Sequence, residues 1–458
     1  MENKINTIGK DFTMKELIKF VSAPVASKLV MSLLSTIDDS LFISRYCGQN
    51  ALAAFTIALP WFMLVDAVTM TLCAIGAKCS MLMGEKKNDE ANSSFTTMVI
   101  MMFGTGLIFT LIMALFKKQI LTILGATDVL LPIVVRYMNI SQFYMPIMLV
   151  GQMMNRFYII AGKPKVAVVS SFVQIFCNLF FDWLLIARMG IGIIGAAYGN
   201  LAGNILIVLI GLFFFSNKKE EIHFSKPISK PFKLYKEVCI LGKSQGLTSL
   251  AVSVNCFIVN NVLLGIGGET FVAAYTVVNN VQFMFMNAFF GFVGSVSPIV
   301  SYAYGEKNAK KLSKQVKQAT LLIEILSVLV GLFIFVFKKP IMYLYFGNNA
   351  NQTIKDMVSY GFKVVPFCYS VFSFNVMVQE FLVAVGNHKA STFLSIIENV
   401  ILGNIVVLTI PHFFGANGVW YCFLIAESLT FIFTCYVVNL NKDVYGYGKD
   451  EIASFVNN

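Results

Sequence analysis

The chain has 458 residues, 57% of them hydrophobic and only 13% charged, with a formal net charge of +11. A soluble globular chain has about 25% charged residues. This composition, with a mean hydropathy of +0.74, excludes a soluble protein and predicts an all-α integral membrane protein. A hydrocarbon core about 30 Å thick needs roughly 20 apolar residues per helix. Twelve such stretches run near 18–44, 51–83, 93–116, 129–161, 165–187, 192–216, 238–265, 271–303, 316–337, 356–385, 390–413 and 416–439. Strands of a membrane barrel would be about ten residues each and alternate in polarity; these stretches are longer and do not.

The positive excess invites a nucleic-acid reading, and its placement argues against one. Lysines gather at 4–19, 86–87, 163–165, 218–236, 307–317, 389 and 442–449, which are the two ends and alternate loops. The other loops carry few: Arg45, Lys117, Lys118, Arg188, Lys338, Lys339 and Lys355. Positive residues mark the cytoplasmic side, so both termini and the 217–237 loop are expected there, in a multi-pass protein of the cell membrane. The first 17 residues are polar and charged, without the early apolar core and small residues of a cleavable signal. Nine cysteines are scattered mostly within apolar spans, with no C-x-x-C pair, and read as small buried hydrophobes. His223, His388 and His412 are too far apart for a local metal motif.

The chain repeats itself. Residues 51–89 read A-L-A-A-F-T, a long apolar stretch, then G-E-K-K-N-D; residues 271–308 read F-V-A-A-Y-T, a similar stretch, then G-E-K-N. Leu124-Gly125 recurs as Phe346-Gly347, Ala161-Gly162-Lys163-Pro164-Lys165 as Val385-Gly386-Asn387-His388-Lys389, and Gly195-Ala196-Ala197-Tyr198 loosely as Gly418-Val419-Trp420-Tyr421. Each half therefore holds six spans in the same order. An even number per half gives both the same orientation, the parallel kind of transporter repeat. The expected division is a first lobe at 1–216, a polar, proline-bearing cytoplasmic linker at 217–237, and a second lobe at 238–458 with a short cytoplasmic tail. Small residues crowd 190–203, where helices can approach closely. Asp38 and Asp39 precede the first copy; Asn260 and Asn261 stand at the matching place before the second.

An ionised side chain inside the bilayer costs at least about 2.5–3.5 kcal/mol on insertion scales, so such residues are candidates for function. Asp39 lies on span one. Asp182 lies on span five with Asn178 one turn earlier on the same face, and Asn200 on span six. Two carboxylates with amide oxygens nearby suit an Na⁺ ion at Asp39, Asn178 and Asp182, or a proton held because close carboxylates resist joint ionisation. Asp38, adjacent to Asp39, faces another side of the helix. Asp66 on span two is either a further member of the acidic cavity or structurally paired. Arg156 on span four and Glu380 on span ten occupy matching places in the repeat; opposite charges there suit structural pairing. With Gln282 and Glu398 they are the other candidate cavity-lining residues. Glu324, Glu398 and Glu427 either line a cation path or lie near a headgroup. Pro24 loosens a helix if it lies inside span one, and is bland if it lies in the first turn. Clusters such as Phe283-Met284-Phe285-Met286 suit either an adaptable cavity or a lipid-facing surface.

These residues resemble the MATE family, the multidrug and toxic compound extrusion transporters, over nearly the whole length. T-I-D-D-S-L-F-I-S-R on span one resembles the family's Y-N-L-V-D-T-x-F-V-G-R, which aligns the family acid with Asp39 and the family kink proline with Pro24. Asn178-x-x-x-Asp182 matches the Asn and Asp of span five. G-A-A-Y-G-N resembles G-A-A-x-A-T on span six, and Y-A-Y-G-E-K-N from Tyr302 to Asn308 resembles the Y-N-Y-G-A-K-N that ends span eight. The resemblance implies twelve helices in two pseudo-symmetric six-helix lobes forming a V. Within the family the first-lobe acids resemble the DinF-like and prokaryotic multidrug branches, linked to H⁺ or Na⁺ antiport. The chain departs from the pattern at Ser35, Thr36 and Asn200. The acid that some relatives carry on span seven has no counterpart in residues 242–254, so the resemblance does not imply a second-lobe, NorM-type cation site.

The expectation is a secondary antiporter that exports amphipathic, cationic organic compounds in exchange for H⁺ or Na⁺. It would be a monomer in contact with lipid, with no nucleic-acid partner and no cofactor beyond the coupling ion. No G-x-x-x-x-G-K-S/T string is present to bind a nucleotide. The alternative is a lipid or polysaccharide-precursor flippase of the same superfamily, for which Arg136 and Arg156 are the main intramembrane arginines. A prenyltransferase-like enzyme would need D-D-x-x-D, whereas Ser40, Leu41 and Phe42 follow Asp39.

Overall fold

In lipid each backbone N–H and C=O must be satisfied within the chain, and an uninterrupted apolar run does this only as a helix. The computed structural model follows that rule: its described residues, 7–34, 39–346 and 352–445, form helices joined by short connections and one longer polar stretch, with no strand. Ser35, Thr36, Asp38 and Gly347, and the side chains of Asn260 and Asn261, lie outside what is described.

The elements are α1 Met14–Leu34, α2 Asp39–Tyr46, α3 Gln49–Leu72, α4 Ile75–Gly84, α5 Asn88–Ile123, α6 Leu131–Ser141, α7 Met145–Ile160, α8 Pro164–Asp182, α9 Ile193–Phe215, α10 Pro231–Gly305, α11 Ala309–Phe346, α12 Gln352–Ala384, α13 His388–Ser395, α14 Gly403–Phe414, α15 Val419–Leu440 and α16 Lys442–Tyr445. Single π-helical segments follow α8, at Trp183–Arg188, and α13, at Ile396–Leu402. Eleven runs among the described residues are long and apolar enough to cross a membrane. The seventh expected span lies in the first part of α10.

The repeat is written into the backbone. Left-handed residues recur at matched places: Gly48 with Gly268, Lys86 with Lys307, Gly162 with Gly386, and Gly192 with Gly415. Sequence patterning places a loop near 266–270; instead one non-helical residue, Gly268 (φ 64°, ψ −169°), divides α10. Its counterpart Gly48 (φ 85°, ψ 176°) precedes α3 with nearly the same dihedrals. Only glycine enters that region freely.

The chain forms two compact units. The first comprises residues 1–10 and 26–246, the second residues 11–25 and 247–458. The division within α1 falls one residue after Pro24. That proline is ten residues inside the helix, which excludes the first-turn reading. α1 starts with a capping box: Thr13 N and Oγ1 both donate to Glu16, at 2.9 and 2.7 Å.

In the first unit, α5, α7 and α9 pack around Phe95, Phe157, Tyr158 and Phe215, all fully buried, with Phe95 and Phe157 centroids 4.6 Å apart. The polar 217–230 stretch is held against α5. Asn92 Oδ1 accepts from His223 N at 3.0 Å, Thr96 Oγ1 from Ser225 N at 2.9 Å and Thr97 Oγ1 from Ile228 N at 2.8 Å. Side chains in the first turns of α5 thus replace the secondary structure this segment lacks. In the second unit, α12 packs on both α11 and α15, and Phe289, Phe362 and Tyr369 are fully buried. The outer faces of α5 and α11 expose Ile108, Leu111, Leu115, Leu329, Leu332 and Val336, continuous apolar stripes suited to lipid.

Candidate cation site

One face of α8 carries a polar ladder. Ser170, Gln174, Asn178 and Asp182 stand four residues apart, so each lies one turn beyond the last. α9 faces this ladder and brings Gly199, Asn200, Gly203 and Asn204. Gln174 donates to Asn204 Oδ1 at 3.2 Å, and Asn204 donates to Asn200 O at 2.8 Å. The amides of α8 and α9 thus satisfy one another along the seam, as buried polar groups must.

At its far end the seam meets Asp39. This carboxylate, on α2, is 2% exposed. Asn178 donates to Asp39 Oδ1 at 3.3 Å, and Asn200 donates to Asp39 Oδ2. Asp182, 0% exposed, occupies the next turn of α8. Its room comes from Gly199: a Cβ there would fall 2.7 Å from Asp182 Oδ1 and 3.3 Å from Asn178 Nδ2. Asp182 Oδ1 and the amide that holds Asp39 therefore both lie within 3.3 Å of one point. The structure brings Asp39, Asn178, Asp182 and Asn200 into one buried cluster.

Hydrogen bonds to a charged group contribute about 1.5–3 kcal/mol each. A buried carboxylate loses several kcal/mol of hydration, and a second carboxylate nearby raises the demand for positive charge. A proton or a small cation meets it. Both amides turn their N–H groups toward Asp39, which favours its ionised form; to ligate Na⁺ through oxygen they would turn over. Among the described residues there is no group of three or more His, Cys, Asp or Glu arranged for a metal ion.

The remaining candidates lie elsewhere. Asp66, half-buried on α3, accepts from Gln152 Nε2 at 3.2 Å. Arg156 donates to Met70 Sδ at 3.0 Å. Lys28 on α1 feels the charges of both Asp66 and Arg156, so these three form a second, mixed-charge group in the first unit. Gln282 and Glu380 belong to the second unit, where Gln282 reaches Met286 on its own helix. Glu398 lies in the second π segment and accepts from Gln379 Nε2. Sequence reasoning passes over Lys28, Gln152, Gln174, Asn204 and the space at Gly199. The four-residue ladder on α8 is the signal that finds Gln174.

The MatE family model matches this chain twice, at residues 24–184 and 246–410. The chain is 24% identical over 440 residues to the multidrug export protein MepA of Staphylococcus aureus (strain bovine RF122 / ET3-1), covering 95% of each. Its fold matches the crystal structure of MATE in complex with MaL6 with a TM-score of 0.87 at 20% identity, over 96% of this chain and 100% of that one. A MOP superfamily transporter from Pyrococcus furiosus matches with a TM-score of 0.86 at 20% identity, over 97% and 99%. At such identity the two structures show the fold alone; the family model, matching most of the chain in two consecutive copies, shows the kinship. The chain belongs to the MatE family of multi-pass membrane transporters.

Proposed function

We propose that the chain is a secondary antiporter that exports amphipathic, cationic organic compounds in exchange for inward-moving H⁺ or Na⁺. The observation that carries this reading is the buried cluster of the first unit: Asp39 held by Asn178 and Asn200, with Asp182 one turn along α8 against Gly199. Such a cluster converts cation occupancy into local charge. When both acids are ionised, the cluster repels; when a cation enters, α2, α8 and α9 can close on it. Pro24 interrupts the hydrogen bonding of α1 and gives that helix a place to bend during the exchange. The name of the Staphylococcus relative, a multidrug export protein, supports drugs as the cargo. The loop lysines support cytoplasmic termini.

Proteoliposomes carrying either a proton or a sodium gradient test the reading, with efflux of a fluorescent organic cation as the signal. Asp39→Asn and Asp182→Asn are expected to reduce gradient-driven efflux to the level of empty liposomes. Wild-type efflux in both variants would sink the coupling assignment. Absence of efflux of any cationic dye under either gradient would sink the export assignment.

A further inference from the structure

The first turns of α10 carry a face that the cation cluster does not use. Residues 222–243 hold five lysines, Lys226, Lys230, Lys233, Lys236 and Lys243, against one acid, Glu237. Glu237 is paired with Lys78 of α4. All five lysines are exposed, and none is ion-paired among the described residues.

The packing of this segment fixes which way the lysines face. Leu234, Val238 and Leu241 are buried. A Cβ on Gly242 would fall 1.9 Å from Thr71 O, and one on Gly246 would fall 2.0 Å from Thr71 Oγ1, so α10 lies directly on α3 there. Tyr235 OH lies 3.1 Å from Thr105 Oγ1 of α5. At 3.6 residues per turn, Phe232, Lys233, Lys236, Ile240 and Lys243 share the remaining arc of about 100°. Phe232 is 77% exposed and Ile240 40%. Two bare apolar side chains thus stand among lysines on one face.

A soluble anion would satisfy the ammonium groups and leave Phe232 in water. The boundary between phosphate headgroups and acyl chains satisfies both, and apolar residues set among lysines mark a helix that rests there. Side chains on a helix lean toward its N-terminus. The stems of Lys236 and Lys243 therefore run back toward the polar end of α10, laying their methylenes along apolar surface. The loop lysines support a cytoplasmic side for that end, where the leaflet carries anionic lipid.

We propose that the arc from Phe232 to Lys243, extended by Lys226 and Lys230, is a docking site for anionic phospholipid headgroups of the cytoplasmic leaflet. Phe232 enters the headgroup boundary and the lysines take the phosphates. The site stands on the segment that joins the two halves of the repeat, and lipid bound there holds the start of α10 at one depth. It does not rest on ion coupling at Asp39.

The probe is phosphatidylglycerol, with phosphatidylcholine as the neutral control. Each is titrated into the full chain in detergent micelles, and lipid-bound states are counted by native mass spectrometry. The wild type is expected to favour phosphatidylglycerol, and less so as ionic strength rises. Lys233→Gln with Lys236→Gln should remove most of that preference, roughly fivefold for each lysine. Phe232→Gln should weaken both lipids and keep their ratio. These substitutions alter exposed side chains, and melting beside the wild type checks that each variant is folded. Lys338→Gln with Lys339→Gln, at the other end of α11, is the control and should keep the wild-type preference. An unchanged preference in the Lys233/Lys236 variant, or an equal loss in the Lys338/Lys339 control, would overturn the site. Displacement of the lipid by an equal concentration of soluble glycerol phosphate would also overturn it, because the arc would then be a patch for free anions.

Discussion

Gly199 separates the role of the cluster from the integrity of the fold. A methyl group there would sit 2.7 Å from Asp182 Oδ1, where ordinary contact begins at 3.4 Å, so 0.7 Å must be recovered. The nearest clashing atom is the end of a side chain, which can swing away; the backbone oxygen of Asn178, at 3.2 Å, must give only about 0.2 Å. An off-rotamer χ angle costs of order 0.5–1.5 kcal/mol. Alanine recovers about 0.8–1.0 kcal/mol of helix propensity over glycine. The two nearly cancel, so Gly199→Ala should melt close to wild type. Its effect falls on the cation instead. Withdrawing one carboxylate oxygen removes an interaction of about 1.5–3 kcal/mol, roughly a 10- to 100-fold loss in ion affinity.

Gly203, one turn further along α9, supplies the contrast. A Cβ there would lie 2.8 Å from the backbone oxygen of Gln174, which cannot swing away. α8 and α9 would have to part, an overpacking cost of about 1–3 kcal/mol. Gly203→Ala should therefore lower the melting temperature while its folded fraction keeps a near-wild-type ion response. The assay is melting by fluorescence-detected size exclusion beside the Na⁺ and pH dependence of dye efflux in proteoliposomes. If Gly199→Ala keeps wild-type ion dependence, the position of the Asp182 carboxylate does not matter and the cluster is not the coupling site.

Burial raises the carboxyl of Glu221, outside the membrane spans, above the ordinary glutamate value, against the opposing pull of its hydrogen bonds from Thr7. A raised pKa means that the folded state holds the proton more tightly. The group's stabilisation is then complete below the unfolded pKa and is lost as pH rises through the folded one. Glu221→Gln should leave melting unchanged in acid and raise it relative to wild type above that window; a pH-independent difference would refute the argument. Pro24→Ala restores a donor toward Phe20 O and removes a helix penalty of about 3 kcal/mol. It should slow efflux without lowering the melting temperature, and unchanged efflux would remove Pro24 from the transport cycle.

The spans and the repeat were legible because both rest on local properties. Hydrophobic length sets a membrane helix, and glycine at Gly162 and Gly386 marks the left-handed turn that each half needs. Asn178 and Asp182 were legible because a four-residue spacing places them on one face whatever surrounds them. Gly199 was not, because its role exists only once α8 and α9 pack and a missing Cβ becomes space for a carboxylate. Lys28 escapes a count of loop lysines because it lies within span one, and its meaning comes from Asp66 and Arg156, distant in sequence. Glu398 and Glu427 stayed open between a cation path and a headgroup, since burial decides between them and hydropathy does not report it.

The two units also differ in where their acids stand. In the first, the matched α8 face ends in Asn178 and Asp182. In the second, the equivalent positions are Leu402 and Val406, or Ile401 and Ile405 if the register slips by one across the π segment. The acid appears instead at Glu398, opposite Gln174 in the repeat, two turns earlier. Eight residues at 1.5 Å each put the two levels about 12 Å apart along the matched helix. Each π segment follows the shift, beginning immediately after Asp182 in one unit and enclosing Glu398 in the other. A π segment loosens the regular backbone ladder and is common where a helix serves a site. Duplication alone would have left like facing like. The buried acids of the two units therefore stand at different levels of their matched helices and among different partners.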